Sequence, residues 1–106
     1  MRIDDDILNT IVSRIRSVAQ PERIVLFGSA VRGQIGVDSD IDLLVLERNP
    51  DDVRRQSVQI RDALRGLGVP IDVIVMPTAQ YEQSKDVFGG IAYPVHKHGK
   101  VLYGAA

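Results

Sequence analysis

Asp40 and Asp42 stand two residues apart in the aliphatic run "SDIDLLV" (Ser39 to Val45), and Asp72 takes the matching place in "PIDVIVM" (Pro70 to Met76). Both runs have the length and β-branching of buried strands. A carboxylate withdrawn from water without a partner is costly or picks up a proton, so three of them on such strands call for a compensating group. Side chains alternate along a strand, which predicts that Asp40 and Asp42 share one face with Cα atoms roughly 6.5–7 Å apart. Two like charges at that separation disfavour joint ionisation. A divalent cation removes the conflict, and oxygen ligands at this spacing suit Mg²⁺, which takes one or two carboxylates together with water and substrate phosphate. With Asp72 at the same height on a neighbouring strand, three carboxylates can hold two ions about 3.5–4 Å apart, the arrangement used for in-line displacement at phosphorus.

The segment just upstream supplies the other half of such chemistry. In "LFGSAVRG" (Leu26 to Gly33), Gly28 lets the chain turn sharply after a strand and approach a ligand closely. Ser29 then opens a helical turn whose free N–H groups suit phosphate and adds a hydroxyl, while Arg32 brings a positive charge and Gly33 gives the turn room. Taken singly, a Gly-Ser pair after a strand is ordinary turn chemistry, and a lone aspartate pair more often caps a strand or meets arginines. Their combination favours a metal–nucleotide site.

These residues need a scaffold, and the periodicity supplies one. Apolar residues at spacings of three and four predict a helix from Ile3 to Ala19, stopped by Pro21. Strands are expected over Arg23–Gly28, Asp40–Glu47 and Pro70–Met76, with a loop around Gly33 and Gly36 after the first. A second helix is expected from Val53 through Leu67, broken by Gly66 and Gly68. Helical segments over Thr78–Phe88 and Tyr93–His98 and an edge strand in "KVLY" complete the chain. The fold class is α/β (α+β): a small mixed sheet flanked by helices, in one domain spanning 1–106.

Composition narrows the function classes. With 106 residues and 44% hydrophobic content the chain has the size of one small globular domain. Its 13 basic and 14 acidic residues leave a net charge of −1, so no direct DNA binding is expected and any phosphate binding must be local. The absence of cysteine excludes disulfides and thiolate metal sites. The start, "MRIDDDILNT", is acidic where a secretory signal is basic, and no apolar run approaches membrane-spanning length; a soluble cytoplasmic protein is expected. Other motifs fail. Gln34 and Ile35 stand where a P-loop needs Lys and Ser or Thr. Leu43 and Asn49 replace the glycine and glutamate of a calcium loop begun by Asp38, Asp40 and Asp42. His96 and His98 face apart on a helix, as solvated residues do. The arginine-rich helix of Arg54, Arg55, Arg61 and Arg65, interspersed with Asp51, Asp52 and Asp62, reads as a solvated face.

"GSAVRG", "SDIDLLV" and "IDVIV" in this order resemble the nucleotidyltransferase superfamily that includes DNA polymerase β, and the short chain is similar to its minimal nucleotidyltransferases (MNT). The resemblance runs from about Arg23 to Met76. It implies a polymerase β palm-like core in which Asp40, Asp42 and Asp72 bind two Mg²⁺ ions and Gly28 and Ser29 hold the triphosphate, with Arg32 and Gly33 beside them. It implies a transfer of NMP, AMP from ATP, to an acceptor hydroxyl with release of pyrophosphate. It also implies a partner: many minimal nucleotidyltransferases act as antitoxins that AMPylate a tyrosine of a HEPN-domain toxin, in a homo- or hetero-oligomer. Two alternatives are a non-catalytic module that neutralises its partner by contact, and an enzyme acting on an aminoglycoside-like small molecule.

Overall fold

The protein is described from a computed structural model that covers residues 5–28 and 40–104. Among the described residues, four helices and four strands follow one another as α1 (Asp5–Val18), β1 (Arg23–Phe27), β2 (Ile41–Glu47), α2 (Val53–Ala63), β3 (Ile71–Pro77), α3 (Thr78–Ser84), α4 (Ala92–His98) and β4 (Lys100–Tyr103). The strands form one sheet in the order β3-β2-β1-β4. β1 runs antiparallel to both β2 and β4, while β2 and β3 run parallel. This is the mixed sheet between helices that the sequence predicts.

The sheet is covered on both faces. Leu8, Ile11 and Ile15 of α1 and Ile60 of α2 pack against Ile24, Leu26, Ile41, Leu43, Val45, Val73 and Val75. On the opposite face Tyr81 of α3 and Ala92 and Val95 of α4 pack against Val25, Leu44, Leu46 and Met76. Strand alternation is therefore read out directly: odd positions of β2 and β3 face α1 and α2, even positions face α3 and α4. Asp42 and Asp72 are even.

Local chemistry fixes the helix ends. Asp52 caps α2 by accepting a hydrogen bond from the Arg55 N–H at 3.0 Å. At the far end, Arg14 of α1 donates to the carbonyl of Arg65 at 2.7 Å and to that of Ala63 at 3.4 Å, satisfying carbonyls the helix leaves open. Asp5 and Asp6 in the first turn of α1 and Arg16 in its last complement the helix dipole.

Several boundaries differ from expectation. α1 ends at Val18, and residues 1–4 lie outside the described part of the chain. α2 stops at Ala63 rather than Leu67. Leu64 and Leu67 still pack on the core from the turn that follows, where Gly66 and Gly68 adopt φ of +86° and +79°, so their spacing mimics a helix without being one. α3 ends at Ser84, not Phe88, and α4 begins at Ala92, one residue early. β2 begins at Ile41, which leaves Asp40 just outside the strand. β3 runs from Ile71 through Pro77. The turn expected after Gly28, with Ser29, Arg32, Gly33 and Gly36, lies outside the described residues. Among the described residues no helix is long and apolar enough to cross a membrane.

Candidate active site

Asp42 is the second residue of β2, the central strand that pairs on both sides at this level. On one side its register partner in the parallel ladder is Asp72 of β3; on the other, in the antiparallel ladder, it is Phe27 of β1. Adjacent strands lie about 4.8 Å apart, so the two carboxylates leave the same face of the sheet as direct neighbours. Among the described residues the helices on that face stop short of them: α3 and α4 bury Leu44, Leu46 and Met76, deeper along the strands, and do not reach this end of the sheet. Asp40 precedes β2 by one residue and is exposed.

The backbone of Gly28 closes over this pair. It follows β1 directly and holds φ at +78°, and a Cβ placed on it would run into the Asp42 carboxylate oxygen, with the carboxyl carbon at 3.4 Å. Glycine is required here twice, for the dihedral angle and for the approach. Backbone and carboxylate, in direct contact, form one wall of a cradle lined by hard oxygens.

Charge tells the same story. Partial burial raises the Asp42 pKa above the ordinary carboxylate range, and the neighbouring charges of Asp72 and then Asp40 push it further up. Among the described residues no arginine, lysine or histidine forms an ion pair with any of the three carboxylates. Two arginines at the end of α2 and in the turn after it are engaged elsewhere: Arg61 donates to the carbonyl of Val73 at 3.3 Å, and Arg65 meets Asp62 at 3.0 Å. Pairing with arginine, the ordinary explanation for such aspartates, finds no support among the described residues.

The structure thus brings Asp42, Asp72 and Gly28 together and leaves Asp40 at the rim. The three carboxylates do not form a closed cage, and no group of three or more His, Cys, Asp or Glu side chains among the described residues is gathered around an ion-sized space. An all-protein cage is not what Mg²⁺ requires, since it keeps water and takes substrate phosphate as ligands. The donor set is hard oxygen throughout, and the cradle fits such an ion. His96 and His98 are exposed at the end of α4, with His96 3.9 Å from Asp86, as solvated histidines. The alternation that selects Asp72 also selects Ile74, two residues on, which a search for charged motifs passes over.

Fold and site together place a carboxylate pair at one end of a mixed sheet flanked by helices. A family model of the nucleotidyltransferase domain matches residues 6–96, and the chain belongs to that family. It is a nucleotidyltransferase by family. Solved structures that share its fold include chains of toxin–antitoxin complexes. A chain of a toxin–antitoxin complex with AMP-PNP is 24% identical with a TM-score of 0.62, over 92% of this chain and 73% of that one. One from a mutant MntA–HpeT toxin–antitoxin is 22% identical, TM-score 0.69, with the same coverage. One from the complex of a tri-AMPylated Shewanella oneidensis HEPN toxin with its MNT antitoxin is 20% identical, TM-score 0.66, over 97% of this chain and 74% of that one. No curated protein matches.

Proposed function

We propose that this protein moves AMP from ATP to an acceptor hydroxyl, a tyrosine on a HEPN-domain partner, and so acts as an antitoxin in the cytoplasm, working as one domain over residues 1–106. The observation that carries this reading is the direct register of Asp42 with Asp72 beneath the Gly28 backbone. The likeness of fold to chains from MNT–HEPN complexes supports the choice of partner.

In this reading Asp40, Asp42 and Asp72 hold two Mg²⁺ ions, which when bound neutralise phosphate charge and polarise the phosphoryl group. Gly28 admits the triphosphate to the Asp42 side, together with Ser29, Arg32 and Gly33, which lie outside the described residues. Asp72, on the other side of Asp42, faces the acceptor and helps to draw off its proton. The acceptor oxygen bonds to the α-phosphorus, the bond to the bridging oxygen breaks, and pyrophosphate leaves. The chain's own contribution is positioning and electrostatics.

Calorimetric titration of Mg²⁺ and ATP, followed by transfer of labelled AMP to a co-expressed HEPN protein, tests this. Binding and labelling by the wild type, both lost in Asp40→Asn/Asp42→Asn, are expected. Protection of the partner without nucleotide on it, equally strong in the variant, identifies a module that works by contact alone.

A further inference from the structure

The row of side chains next to the carboxylates differs sharply from strand to strand. Behind Asp42 lies Leu44, fully buried under the helices, and its partner on β1, Val25, is buried as well. Behind Asp72, in register with Leu44, lies Ile74, which is 37% exposed and belongs to neither core cluster. Among the described residues, an aliphatic side chain in the middle of a strand, on a face that helices cover elsewhere, is left open to water only here.

We propose that Ile74 is the acceptor-binding residue of this site, the apolar surface against which the ring of an acceptor tyrosine lies while its hydroxyl reaches the Asp42–Asp72 pair. The inference rests on the transferase reading above and assigns that reading a residue which sets acceptor specificity. Two observations support it. Gly28 crowds the β1 side of Asp42, which leaves the β3 side of that residue for the acceptor. β3 is an edge of the sheet, so an incoming protein side chain reaches Ile74 without displacing another strand. The outer edge is also closed to strand addition at this point, because Arg61 occupies the Val73 carbonyl.

The test compares wild type with Ile74→Ser and Ile74→Leu, using Mg²⁺, labelled ATP and three acceptors: N-acetyl-tyrosinamide, N-acetyl-serinamide and a short RNA with a free 3′ hydroxyl. Because Ile74 is open to solvent, both variants are expected to fold. The proposal expects tyrosinamide to be the best acceptor, its KM raised about tenfold by Ile74→Ser with kcat and ATP affinity little changed. Ile74→Leu is expected to stay within roughly threefold of wild type. An unchanged KM in Ile74→Ser overturns the role of Ile74 and leaves the transferase reading standing. So does a wild type that prefers serinamide or RNA. No transfer to any of the three acceptors overturns this inference alone, and no ATP binding sinks the transferase reading with it.

Discussion

Asp42 and Asp72 are register partners on parallel strands, two like charges set side by side at one end of the sheet. Nothing in folding alone favours that arrangement: like charges directly opposite each other destabilise a sheet by about 0.2–1 kcal/mol. Replacing Asp42 or Asp72 with Asn is therefore expected to raise the melting temperature by a few degrees (roughly 4–8 °C per kcal/mol in a domain of this size) while abolishing AMP transfer. Thermal denaturation in the absence of divalent cations, run beside the transfer assay, checks both; a variant that is less stable than wild type contradicts the account.

Gly28→Ala tests the cradle. The new methyl group meets the Asp42 carboxylate and must hold a left-handed dihedral, which costs about 1–2 kcal/mol before the clash is counted. A lower melting temperature and weakened Mg²⁺-ATP binding are expected together. Retained binding would show that the approach of the Gly28 backbone to Asp42 is not used by the nucleotide.

Glu47, at the other end of β2, is only 5% exposed. Burial raises its pKa, opposed by the Gln20 N–H that donates to it, and the Gln56 amide, once turned so that its nitrogen faces the carboxylate, donates to it as well. A carboxyl with a folded pKa above its unfolded one holds its proton more tightly in the folded state. Its ionisation therefore subtracts stability as pH rises, and the loss is complete above the folded pKa. The melting temperature of wild type minus that of Glu47→Gln is expected to fall from pH ~4 to pH ~8; a difference that is flat or rises with pH contradicts this.

Arg61 covers an open carbonyl on the outer edge of β3. Arg61→Ala is expected to cost about 0.5–1.5 kcal/mol and to increase self-association through the exposed edge. Light scattering across a concentration series reads the second effect, and urea titration the first.

The carboxylate pair was legible because two strands repeat one pattern, Ile-Asp followed by aliphatic residues, and parallel pairing in that frame sets Asp42 against Asp72. The Gly28 turn was legible from its place after a strand. Asp40 was harder: alternation reads the same for the first residue of a strand and the residue before it, and the strand begins at Ile41. The end of α2 was hidden because Leu64 and Leu67 keep helical spacing while packing from a turn. Nothing in the sequence marks Glu47 as buried, and only tertiary packing closes over it. Ile74 reads as core, and what distinguishes it is that the helices stop short of it.

The parallel pairing of β2 with β3 also dictates when the two aspartates meet. β1 and β2 lie close in sequence and pair antiparallel, whereas β3 joins the sheet only after α2 has carried the chain back to the same end. A pairing that spans a whole crossover closes a longer loop and forms later than a local one. During synthesis, a chain that has emerged as far as β2 therefore exposes Asp40 and Asp42 with nothing opposite them. The carboxylate pair is acquired with the last strand to dock against β2, so a partly made chain has no site.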